Sequence, residues 1–375
     1  MLPNATRIDF KGNADENQSF VYFAKFCNQS LRHLEISTLV VALSHEFIGG
    51  TPEQTGIDEL LRNIAPRSPN LEVLSITDDV RDISELLEPA LASVIPAFPR
   101  LLTVTLGTAI TSRRILDLLS HAPSLSKLNL SPSIHINEGT TVVPLRYEPI
   151  QTLGNDAFPS LSELSICTEY SVVSEMRRHA CFLKLCALKL ALADVSTEEE
   201  INALFSYLPA FSNLRELHVQ LLHKLGSFYP SALPYLGNLK HLTSLRLECS
   251  RMCTLHDSDI VDIVKLCPGL TSLHAMWLHI PLIEADSMLS SFTLDVLSLL
   301  SQQPNRLKSF HFYFCPEDGF GTLQGEIGPY TQQLADVDFD RVYTDEEGTV
   351  KVGNYLRRCL SRTCAEKALA NFVVH

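Results

Sequence analysis

A chain of 375 residues, 45% hydrophobic and 19% charged, can build a substantial core, so wholesale disorder is excluded. Thirty Lys and Arg face 43 Asp and Glu, and the resulting formal charge of −13 repels phosphate backbones, which argues against a general nucleic-acid binder. The sequence has no apolar run of roughly 18 residues that would span a membrane, and the opening MLPNATRIDFKGNADENQ lacks the basic-then-apolar order of a signal peptide.

In chain order, a frame L-x-x-L-x-L recurs with helical patterns between its copies. A weak first copy, Ala5-Ile8-Phe10, precedes Leu31-Leu34-Ile36, and a helical pattern over 51–66 leads to Leu71-Leu74-Ile76. Leu101-Val104-Leu106 is followed by a second helical pattern over 111–123, then by Leu125-Leu128-Leu130 and Leu161-Leu164-Ile166. After Leu185-Leu188-Leu190 comes a helix over 196–209, where Ser196 with Glu199 fits a capping box. Leu214-Leu217-Val219, Leu242-Leu245-Leu247, a helix over 256–268, Leu270-Leu273-Ala275, Leu307-Phe310-Phe312 and Leu334-Val337-Phe339 complete the series. Pro69, Pro99, Pro123, Pro159 and Pro268 each stand just before a frame, where a helix must end.

The frames start about 30 residues apart on average, with clean spacings between Leu185, Leu214, Leu242 and Leu270. Within each frame the alternating L-x-L turns two apolar side chains inward and the residue between them outward. One such unit cannot bury its apolar face alone, so stacked neighbours must supply the core. The expected fold is α/β: an irregular leucine-rich-repeat solenoid (horseshoe), with a parallel sheet on the concave face and helices on the convex face. About twelve units would fill 1–340, and 341–375 would be a C-terminal capping segment with a helix over 354–372. Longer intervals leave insertions at 131–150, 276–290 and 316–329, the places where loops usually carry grafted function.

The segments SPNLEVLSI, FPRLLTVTL, APSLSKLNL, FPSLSELSI, FSNLRELHV and CPGLTSLHA resemble the ribonuclease-inhibitor-like repeats of fungal F-box/leucine-rich-repeat proteins over roughly 5–340. In that family the repeats bind a substrate while an N-terminal F-box docks a Skp1-type adaptor of an SCF-type ubiquitin ligase. No F-box is visible in this chain, so the resemblance implies such an adaptor only where an F-box lies upstream. The repeats also depart from the family at the turn position usually held by Asn or Cys. Asn13 and Cys315 fit it and the other units do not, so no asparagine ladder and irregular turns are expected.

No GxSxG, HExxH or P-loop motif occurs, and Gly319, Gly321 and Gly325 have the wrong spacing for a dinucleotide loop. Cys249, Cys253, His256 and Cys267 have zinc-like spacing, but the fold would put Cys249 and Cys267 at opposite ends of their strands. Asp336, Asp338 and Asp340 read as a solvated acidic end, with Asp345, Glu346 and Glu347 close behind. No catalytic residue, metal ligand or cofactor is expected. Ten scattered cysteines without a CxxC pair point to buried thiols in a reducing compartment, cytoplasm or nucleus.

The central outward residues of successive strands are Asp9, Glu35, Ser75, Thr105, Asn129, Ser165, Lys189, His218, Arg246, His274, His311 and Asp338. Strands about 4.8 Å apart would align Lys189, His218, Arg246, His274 and His311 in a basic column, flanked by Glu216, Gln220, Glu248, Met276 and Tyr313. Partner binding is assigned to that column with Glu216, Glu248 and Tyr313, facing an acidic or phosphorylated protein segment. His274 and His311 read as neutral surface histidines rather than a metal pair. The expected function is a non-catalytic interaction scaffold, with substrate recognition for an SCF-type ligase as its specific form. The alternatives are an enzyme or enzyme activator with its site in an insertion, and an adaptor-free binding protein.

Overall fold

The frame leucines are the register of the sheet. In the computed structural model Leu188, Leu217, Leu245, Leu273, Phe310 and Val337 are matched partner to partner across adjacent parallel strands, and all six are essentially inaccessible. Leu34, Leu74, Val104, Leu128 and Leu164 form the equivalent buried row earlier in the chain. The structure describes residues 5–13, 27–39, 55–78, 84–107, 111–130, 150, 153–154, 156–223, 226–249, 254–277, 292–302, 306–312, 334, 336–339, 342–344, 354–358, 360–369 and 372–374.

Within each part of the chain the sheet strands follow chain order. The chain divides into two compact units, one up to Leu185 and one from Cys186. The first carries β1 (Arg7–Asn13), β2 (His33–Leu39), β3 (Val73–Asp78), β4 (Thr103–Leu106), β5 (Lys127–Leu130) and β6 (Glu163–Thr168). The second carries β7 (Ala187–Leu192), β8 (Glu216–Leu221), β9 (Ser244–Cys249), β10 (Ser272–Trp277), β11 (Ser309–Phe312) and β12 (Asp336–Phe339). Within each unit neighbouring strands pair in parallel, because every return to the sheet is made through a crossover segment.

Among the described residues, helices lie in seven of these crossovers: α1 (Thr55–Arg67), α2 (Ser84–Val94), α3 (Arg113–Ser120), α4 (Tyr170–Met176), α5 (Glu198–Tyr207), α6 (Asp257–Leu266) and α7 (Asp295–Ser301). α1, α3, α5 and α6 fall within the four expected helical patterns to within a residue or so. Between β8 and β9 the crossover is a 3-10 segment, Pro230–Asn238: Pro230 fits the first helical position, while Pro234 lacks the N–H that an α-helix would bond to residue 230.

The capping box lies one residue beyond the expected pair: Thr197, not Ser196, caps α5, and Glu200, not Glu199, returns the bond. Glu200 decides this because its carboxylate accepts from the backbone N–H groups of both Ser196, at 2.9 Å, and Thr197, at 3.0 Å. Those backbone bonds, the Ser196 one foremost, hold its pKa below the ordinary carboxylate value.

Where an asparagine ladder is missing, hydroxyls serve the strand starts. In four repeats the residue after the first frame leucine is Ser or Thr and donates its hydroxyl to the carbonyl of the same position one repeat back. Ser126 reaches Leu102 O and Ser162 reaches Ser126 O, both at 3.2 Å, while Thr243 reaches Arg215 O and Thr271 reaches Thr243 O, both at 3.0 Å. The same carbonyls accept two backbone N–H groups of the following strand, as Arg215 O does from Thr243 and Ser244. These paired bonds satisfy polar groups that stacking would otherwise strand.

The expected single helix over 354–372 is interrupted. A helical stretch at 354–358 stops, Ser361 Oγ accepts from Cys364 N at 3.3 Å, and α8 (Arg362–Leu369) starts anew and packs against β12. Phe372 then opens β14 (Phe372–Val374), which pairs in parallel with β13 (Val342–Thr344) in a separate two-stranded sheet. The segment is anchored by buried Tyr355, whose hydroxyl donates to Leu294 O at 3.1 Å.

Cys27, Cys167, Cys181, Cys249, Cys267 and Cys364 are buried thiols. Burial pushes Cys167 up to about 12 and Cys267 up to about 11. Among the described residues no helix is long and apolar enough to cross a membrane.

Candidate functional site

Strand register brings the expected column together within the second unit. Lys189 pairs with His218, His218 with Arg246, Arg246 with His274 and His274 with His311 as direct neighbours on β7 to β11. Inward leucines on either side leave these five on the face that the core does not use. Lys189 and Glu216 are exposed, Arg246 is 43% exposed, and the histidines are half-buried among their neighbours.

The column differs from the expected basic stripe because its charges are compensated from within. Glu248, expected as a flanking contact, is a buried anchor whose side chain is 6% exposed. One carboxylate oxygen meets His218 Nε2 at 2.9 Å and the other takes the Nε and Nη2 groups of Arg246. Burial alone would raise the pKa of Glu248, but His218 and Arg246 outweigh it and hold the group below its ordinary value. One carboxylate thus anchors the Arg246 guanidinium and the His218 imidazole together.

Further along, His311 Nε2 lies 3.2 Å from Asp336 Oδ2 and 2.9 Å from Ser309 Oγ. His274 Nε2 repeats the second contact with Ser272 Oγ at 3.1 Å. The imidazoles of His274 and His311 stack, and burial, reinforced by the charges of His311 and Arg246, lowers the His274 pKa to about 4. His274 is therefore neutral at pH 7. These serines were not among the expected site residues, although the S-x-H spacing at Ser272 and Ser309 puts each serine on the same strand face as its histidine.

Gln220 is buried beside the column. Tyr313 lies outside the described residues, as do the Met276 and Asp338 side chains. Asp340, Asp345, Glu346, Glu347, the 316–329 insertion with its glycines, and nearly all of 131–150 and 276–290 also lie outside them. Of the zinc-like set, Cys249 ends β9, His256 caps α6, and the Cys267 thiol donates to Leu236 O at 3.6 Å. Cys253 is outside the described residues.

Leucine-framed strands, stacked in parallel register and joined by crossover helices, define a leucine-rich-repeat protein of the α/β class. Solved structures similar to it include the leucine-rich-repeat-containing protein LegL7 from Legionella pneumophila, with 12% identity, 94% of this chain and 97% of that chain covered, and a TM-score of 0.44. The Rad7 and Elc1 complex in yeast has 14% identity, covers 94% of this chain and 85% of the other, and gives 0.43. An internalin (inlF) from Listeria monocytogenes has 10% identity, 92% and 80% coverage, and 0.32. No protein-family model and no curated protein matches the sequence.

Proposed function

We propose that this chain is a non-catalytic recognition scaffold whose protein partner seats on the open face of β7 to β11. The observation that carries this reading is the matched register of Lys189, His218, Arg246, His274 and His311 on five successive strands. Rigid strands hold these side chains at fixed intervals, and internal pairing by Glu248, Ser272 and Ser309 limits the rotamer freedom a partner must freeze. Lys189 and the exposed part of Arg246 provide the contacts for an acidic or phosphorylated group.

The finer form of this reading is substrate recognition for an SCF-type ubiquitin ligase, supported by the resemblance of the repeat segments to F-box/leucine-rich-repeat proteins. Affinity purification tests both levels. The double variant Arg246→Glu, His274→Glu is expected to lose proteins captured by the wild type, whereas Arg178→Glu on α4's flank retains them. Equal capture by all three would remove the reading. A Skp1-type adaptor among the captured proteins would support the ligase form, and cargo without any such adaptor would leave an adaptor-free binder.

A further inference from the structure

A second cluster lies on the first two strands, far in sequence from the proposed recognition face. Arg7 pairs with His33 and Asp9 with Glu35 in the β1–β2 register, and the two-residue alternation puts all four on one face. One atom each from Asp9, His33 and Glu35 lies within 4.8 Å of the other two. His33 Nε2 is 3.8 Å from Asp9 Oδ1 and 3.7 Å from Glu35 Oε2, beyond hydrogen-bond reach. That nitrogen is sealed from solvent and has no hydrogen-bond partner. An unpartnered buried ring nitrogen beside two carboxylates is a place where a bound ion would satisfy all three groups at once.

The spacing fits a metal ion. Bonds of about 2.0–2.2 Å meeting near the tetrahedral angle separate ligand atoms by about 3.4 Å. The two His33–carboxylate distances therefore need to close by only a few tenths of an ångström, and rotation of the carboxylates brings their oxygens, within 4.8 Å of each other, together. An imidazole with two carboxylates is a ligand set that zinc accepts, with water in the open position. Arg7 bridges the two carboxylates in this structure: its Nε donates to both Asp9 oxygens, at 2.9 and 3.0 Å, and Nη2 reaches Glu35 Oε2 at 3.5 Å, so a metal would share or replace these contacts. Its side chain is 58% exposed and free to withdraw, and each carboxylate has lone pairs for both neighbours.

We propose that Asp9, His33 and Glu35 form a binding site for a zinc-class divalent cation, with Arg7 as the counter-charge when the metal is absent. The test titrates zinc and cobalt into the full chain and compares wild type with His33→Gln and with Asp9→Asn, Glu35→Gln, after circular dichroism has matched their folds. Wild type is expected to retain one zinc more per chain than either variant, with affinity at least ~10-fold higher. Its cobalt spectrum should lack the thiolate charge-transfer band that cysteine ligation would give. Equal stoichiometry and affinity in all three chains, a thiolate band at the first equivalent, or no retained zinc in wild type would overturn the proposal.

Discussion

His274 and His311 stack nearly parallel, with ring centroids 4.2 Å apart and planes 13° from each other. A second proton on this pair would put like charges in contact, and Arg246 stands on the next strand. The His274 pKa of about 4, against an ordinary 6.5, follows from burial first and these charges second. Because the unfolded chain binds that proton more readily, stability is full above pH 6.5 and falls as the solution is acidified toward pH 4. The loss is about 1 kcal/mol after allowance for partial exposure. A proton NMR titration should find the His274 midpoint near 4, moving upward in His311→Ala; a wild-type midpoint at the ordinary value would contradict the geometry.

Glu248 holds two strands' side chains at once, so its removal should be felt beyond β9. Glu248→Ala leaves Arg246 and His218 without their shared acceptor, and urea denaturation should register a loss of about 1–3 kcal/mol. Arg246 reaches water in part, which keeps the figure below that of a fully buried pair. The sign with pH is that of a lowered carboxylate: its contribution is present above the ordinary value of 4.5 and disappears as pH falls through the lower folded value.

The cap of α5 separates two adjacent residues of similar chemistry. Thr197→Ala removes the side chain that accepts from Glu200 N at 3.3 Å and should cost about 1 kcal/mol in thermal or urea unfolding. Ser196→Ala leaves the Ser196 backbone bond to Glu200 intact and should cost measurably less. Equal losses would mean the helix starts one residue earlier.

Core position rather than residue type decides the cost of losing a leucine. Leu245, fully buried between Leu217 and Leu273, should lose about 2–5 kcal/mol on replacement by alanine. Leu102, 40% exposed, should change stability by no more than about 0.5 kcal/mol. Equilibrium unfolding of the two variants side by side distinguishes them.

Strands and their pairing were readable because period-two apolar alternation is a local property, and a repeated frame lets only one register bury every copy. Leu188, Leu217, Leu245 and Leu273 had no other way to leave water together, and the order of His218, Arg246, His274 and His311 across the sheet follows from theirs. The interrupted terminal helix and the shifted cap were not readable, since Ser361 and Thr197 compete with neighbours of nearly equal local preference. Nor was the charge balance of the column: Glu248 lies two residues beyond Arg246 along β9, and only the packed sheet buries it and brings His218 to its other oxygen. Protonation at His274 and the unpartnered nitrogen of His33 depend likewise on burial and on distances between strands, which arise when remote segments meet and have no counterpart in the order of residues along the chain.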